Sequence, residues 1–118
     1  MNVVVNITKT FKQATKPLIK KYPSLLNDLA KLEQDLCQKP QLGTPLGNEI
    51  YKIRLQIKSK NKGKSGGARI ITLLETIEVE SKNMEYASVI VNLITIYDKS
   101  DIATLTNKEI QNLILSSK

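Results

Sequence analysis

The apolar positions of this chain change period partway along it. Residues 2–7 (Asn-Val-Val-Val-Asn-Ile) are rich in β-branched side chains and predict a short strand. Thr8 or Thr10 can then cap a helix whose apolar face is Phe11, Ala14, Leu18 and Ile19. Pro17 lacks a backbone donor and crowds the preceding turn, so a kink or break is expected near Lys16. Lys20–Pro23 reads as a turn, with Pro23 placed to open a second helix. Leu25, Leu29, Leu32 and Leu36 give that helix a one-sided stripe, and Pro40 and Gly43 end it.

From Ile50 the repeat shortens to two. Tyr51, Ile53, Leu55 and Ile57 alternate with Lys52, Arg54, Gln56 and Lys58, which predicts a strand with one apolar and one cationic face. Residues 58–67 read as a basic hairpin tip and 68–74 as the returning strand. Residues 75–86, acidic and polar, read as a strand end and an exposed loop, and 87–97 as a central strand covered on both faces. Thr106 and Glu109 match a capping box ahead of Ile110, Leu113 and Ile114, a short C-terminal helix. The order strand, two helices, three strands, short helix predicts one α+β domain over residues 1–118. In it the helical hairpin packs on a small antiparallel sheet.

Charge sharpens this picture once it is located. The net charge is +7, and residues 50–72 alone hold seven cations and no acid. The other 11 basic residues are matched by the chain's 11 acids, so the whole surplus sits in that stretch. Focused charge of this kind points to a polyanionic partner rather than to solubility. The plain alternative for Lys58, Lys60, Lys62 and Lys64 is a solvated turn with glycines for reversal. Lys52 and Arg54 resist it, because they stand two apart on one strand face, about 7 Å from each other. If Arg69 shares that face, three cations converge where a phosphate backbone would relieve their repulsion. Gly63-Lys64-Ser65 is not a nucleotide P-loop: Lys58 stands where the first glycine is needed, and a strand follows.

Absences prune the chemistry further. With no His and only Cys37, catalytic triads, zinc sites of the usual kind and His-based acid–base cleavage are excluded. No metal or cofactor is expected. Cys37 reads as a small buried hydrophobe in a reducing cytosol. The opening Met1–Asn6 has no basic start and too short an apolar run for a signal or membrane segment, so a cytoplasmic protein is expected.

"NEIYKIRL", the basic turn, "GGARIITLL" and "VNLITIYDKSD" followed by a terminal helix resemble, in order and spacing, the RelE/ParE-like toxins of bacterial type II toxin–antitoxin modules, the RelE type above all. The resemblance covers nearly the whole chain. It implies a metal-free, ribosome-dependent mRNA endonuclease that represses translation, silenced by a cognate acidic antitoxin, with ribosome and mRNA as further partners and no membrane; a homodimer stays open. Carried over, the family's catalytic roles fall on Lys52 (proton transfer), Arg54 and Arg69 (phosphate and transition state) and Lys99. RNA binding falls on Lys58, Lys60, Lys62, Lys64 and Tyr97. The family's late tyrosine has no counterpart in residues 100–105. Tyr97 either serves in its stead or ends a core strand, and Asp98 either orients Lys99 or caps the turn. Such chemistry uses the RNA 2′-hydroxyl as internal nucleophile. Neighbouring cations make an ammonium easier to deprotonate, whereas arginine grips phosphate without trading protons. A ParE-like gyrase inhibitor and a non-catalytic RNA-binding module are the alternative readings.

Overall fold

Thr8 sets the first turn of the architecture. In the computed structural model, which describes residues 2–60, 66–81, 84–102 and 104–118, the opening strand β1 (Asn2–Ile7) gives way at once to helix α1 (Lys9–Lys21). The Thr8 side chain caps α1 by accepting the Phe11 N–H, and its hydroxyl also donates to the Leu93 carbonyl at 2.7 Å. Thr10 donates to the Ile94 carbonyl at 2.6 Å. Both hydroxyls thereby tie the start of α1 to the strand beneath it. Helix α2 (Leu25–Gln38), strands β2 (Thr44–Gly47), β3 (Ile50–Leu55), β4 (Ala68–Ser81) and β5 (Met84–Asp98), and helix α3 (Asn107–Ser117) follow, with a 3-10 turn at Lys58–Lys60.

The strands form one sheet in the order β1-β5-β4-β3-β2. β1 runs parallel to β5 and the other neighbours are antiparallel, so the sheet is mixed where an antiparallel one was expected. The reason lies in α1: folding straight back over the sheet, it opens a crossover that returns the chain beside β1 in the same direction. The α1–α2 hairpin covers one face, burying Phe11, Leu18, Leu25, Leu32 and Leu36 against Ile53, Leu55, Ile70, Val91 and Leu93. On the other face α3 sets Ile110 and Ile114 over Ile50, Ile71, Ile94 and Tyr97. Its capping box is formed at Thr106 and Glu109.

Four local expectations change. Pro17 lies inside a continuous α1. Both Pro17 and Gln13, whose carbonyl loses its partner, lie on the exposed face of that helix, where water replaces the missing donor. α2 begins at Leu25, two residues after Pro23. Cys37 is exposed, because the Leu25–Leu36 stripe takes the buried side of α2 and the residue after Leu36 points away. Residues 75–81 and 84–86 continue one long ladder from Thr72–Leu93 to Ser81–Met84. β3 accompanies β4 only as far as Leu73, and β1 accompanies β5 only from Ser88. Polar residues such as Glu75, Thr76 and Glu78 suit the part of β4 that β3 no longer flanks, because they are exposed there. The molecule is correspondingly long, 51 × 29 × 23 Å.

Candidate nucleic-acid interface

Strand register brings the cations together. In the β3–β4 pair Arg54 stands opposite Arg69 and Lys52 opposite Ile71; in the β4–β5 pair Arg69 stands opposite Tyr97. Residues two apart share a face, so Lys52, Arg54, Arg69 and Tyr97 all belong to the α3 side of the sheet. Arg54, Arg69 and Tyr97 make a row across three strands, each step about 5 Å between Cβ atoms. α3 covers Ile50 and Ile71 but leaves Arg54 exposed and Lys52 half-buried. Neither Lys52 nor Arg54 has an ion-pair partner among the described residues. Arg69 is buried, 6% exposed, and its Nη1 donates to the Ala68 carbonyl at 3.2 Å.

Tyr97 packs into the α3 cluster with 5% of its surface exposed, so its ring presents no open face to a base. Burial raises its phenol above the ordinary value, while the Arg69 charge and hydrogen bonds with Thr104 and the Leu105 backbone pull it back down. Lys99 is half-buried just past β5, and its backbone N–H donates to the Gly67 carbonyl at 3.1 Å. Lys58 is exposed. Lys62 and Lys64 lie outside the described residues.

Lys60 is drawn into a different constellation. Asp98, 2% exposed, faces the helical hairpin. Lys60 Nζ donates to its Oδ1 at 2.8 Å, the Ser100 N–H donates to the same oxygen at 2.9 Å, and the Tyr22 hydroxyl donates to Oδ2. Lys21 Nζ stands 3.7 Å from Oδ2. Burial alone would raise the Asp98 carboxyl. The hydrogen bonds from Lys60, Tyr22 and Ser100, with the Lys60 charge, outweigh it and hold the group well below the usual carboxylate range. Asp98 therefore does cap its turn, through Ser100, and it also holds Lys60.

Asp28 is a second buried acid among the described residues. It lies in the leucine stripe of α2, 6% exposed, and accepts the Ser24 hydroxyl at 2.8 Å and the Lys58 N–H at 3.2 Å. Asp28, Tyr22 and Ser24 were not anticipated as parts of a site. An acid three residues after Leu25 and four before Leu32 was the available signal, because it occupies a core position that only a bonded carboxylate tolerates.

Between α2 and β3 a groove of about 360 Å³ opens, lined by Asp28, Lys31, Leu32, Leu42, Lys52, Arg54 and Lys58. β2 pairs with β3 only as far as Lys52, so the outer backbone edge of β3 beyond it borders this groove. It carries cations along β3 and both signs of charge along α2, where Lys31 lies between Asp28 and Asp35. Among the described residues no cluster of three or more metal-binding side chains occurs, and no helix is long and apolar enough to cross a membrane. Comparison with protein-family models, curated proteins and solved structures gives no match.

Proposed function

We propose that this chain is a RelE-type toxin of a type II toxin–antitoxin module, a metal-free mRNA endonuclease that acts on translating ribosomes in the cytoplasm and represses translation. The observation that carries this reading is the row Arg54–Arg69–Tyr97, with Lys52 beside it, on one sheet face. Exposed Arg54 meets the scissile phosphate from solvent. Arg69, held from below by the Ala68 carbonyl, offers a fixed guanidinium to charge that develops on the phosphorane. Lys52, half-buried at the same level, takes the 2′-hydroxyl proton. The 2′-oxygen then forms its bond to phosphorus as the bond to the 5′-oxygen breaks. Solvent water gives a proton to that leaving oxygen, and the products are a 2′,3′-cyclic phosphate and a 5′-hydroxyl end. Tyr97 supports this reading as a wall that orients Arg69. An antitoxin that silences such a toxin would cover the cationic face with an acidic segment.

Primer extension on a reporter mRNA in a translating extract tests the reading, with wild type, Lys52→Ala and Arg54→Ala, both outward positions that leave the core intact. Discrete cuts at ribosome-occupied codons, reduced about 10²- to 10³-fold in either variant, are expected. Growth arrest with intact transcripts would replace it with a protein target such as gyrase. RNA binding without cleavage or arrest would leave a non-catalytic module.

A further inference from the structure

Two lysines two positions apart, Lys58 and Lys60, have opposite surroundings. Lys58 is exposed and lines the groove that Arg54 also lines. The Lys60 side chain is 6% exposed. Its ammonium donates to Asp98 Oδ1 at 2.8 Å and to Ser100 Oγ at 3.0 Å, and it sits 5.4 Å from the centroid of the Tyr22 ring. Two of its three donors are committed and the ring covers another side, so it has little left to offer a phosphate.

The backbone of the turn is held as well. The Lys58 N–H donates to Asp28 Oδ2 at 3.2 Å, the Ser59 N–H to Ser24 Oγ at 2.8 Å, and the Lys60 N–H to the Ile57 carbonyl at 3.0 Å. The two buried acids thus grip the turn from α2 and from the end of β5. Asp98 is opposite Ala68 in the sheet, and these two directly adjoin Tyr97 and Arg69. The side chains point to opposite faces, so the turn is secured on the helical-hairpin side while the cationic row stands on the other.

We propose that Lys60 and Asp98 form an anchor that fixes the basic turn, making Lys60 a positioning residue and leaving Lys58 to contact the phosphate backbone beside Arg54. The assignment of Lys58 rests on the RNA reading above; the anchor itself does not. Its consequence is that the turn Lys58–Lys60 is a placed element, with its two lysines in separate roles.

Binding of a short, mixed-sequence single-stranded RNA over a range of salt concentrations separates the two roles. Each phosphate contact contributes about 0.7 to the slope of log affinity against log salt for a single strand. Lys58→Gln is expected to lower the slope by about that amount. Lys60→Gln and Asp98→Asn should leave the slope unchanged and weaken binding about tenfold at every salt concentration, roughly the entropy of re-ordering one residue. Lys60→Arg, which keeps the charge pair, should restore affinity. Amide exchange at Lys58, Ser59 and Lys60, measured without RNA, should speed up in Lys60→Gln and stay unchanged in Lys58→Gln. A slope loss in Lys60→Gln equal to that in Lys58→Gln, or unchanged amide exchange in Lys60→Gln, overturns the anchor. Absence of salt-dependent binding by wild type removes the RNA reading instead, and the anchor then stands or falls on amide exchange alone.

Discussion

Arg54 and Arg69 stand directly opposite each other across the β3–β4 pair, two guanidiniums on one sheet face. Like charges so placed oppose folding, and an anion between them would relieve the repulsion. Arg54→Gln is therefore expected to stabilise the free protein by about 0.5 kcal/mol while weakening its hold on RNA. Urea denaturation at low ionic strength reads the first effect. A less stable variant would mean that the pair carries no strain.

Asp98 gathers three donors from three parts of the chain, Tyr22, Lys60 and the Ser100 backbone. Asp98→Ala removes the acceptor and strands a nearly buried ammonium, which should cost about 3–5 kcal/mol. Asp98→Asn keeps acceptor capacity and should cost less. Equal losses in both would show that shape, not hydrogen bonding, holds the site.

The same carboxylate predicts an acid limb. Because its folded pKa is depressed, Asp98 contributes stability that is fully present above the unfolded value, about 4, and is lost progressively as pH falls below it. Lys60, Lys21 and Tyr22 are the groups that face it. Thermal melts from pH 6 to pH 2 should show a steeper decline for wild type than for Asp98→Asn; parallel curves would contradict this.

Asn92 bridges three strands. Its Oδ1 accepts from Asn6 at 2.7 Å, and its Nδ2 donates to Glu75 Oε1 at 2.6 Å and to the Leu73 carbonyl at 3.2 Å. Asn92→Leu is close in size but leaves these partners unmet, so a loss of about 1–3 kcal/mol in a denaturant titration is expected. Little or no loss would mean that water reaches them freely.

Two glycines mark close approaches of the chain to β3. A Cβ at Gly67 would lie 2.0 Å from the Leu55 carbonyl oxygen, and one at Gly43 (φ +104°) 2.5 Å from that of Lys52. Gly67→Ala should push β4 away from β3 and blur the Arg54–Arg69 alignment, costing about 1–3 kcal/mol and lowering RNA affinity together. A folded variant with unchanged affinity would separate that alignment from function.

The periodic parts of the chain were legible before any coordinates. The leucine stripe of α2, the alternation through β3 and the Thr106 box each carry one dominant spacing, and all three elements are present. β2 was not legible: Thr44-Pro-Leu-Gly is fully exposed and has no stripe, because its pairing is supplied by β3. Nor was the direction of β1, since six β-branched or polar residues read the same either way and the Thr8 cap decides it. Within the candidate site, period two placed Lys52 and Arg54 on one face, and the register adds Arg69. The separation of Lys60 from Lys58 depends on Asp98 and Tyr22, remote in sequence, which no local pattern announces.

The parallel seam between β1 and β5 also carries a timetable. Asn6 and Asn92 pair across 86 positions, so β1 has no sheet neighbour until β5, the last of the described strands in sequence, has been made. Such distant closure is slow, and until it happens β5 lacks one edge and α1 lacks the carbonyls that Thr8 and Thr10 engage. The cationic row is bound by the same wait, because its third member, Tyr97, also comes from β5.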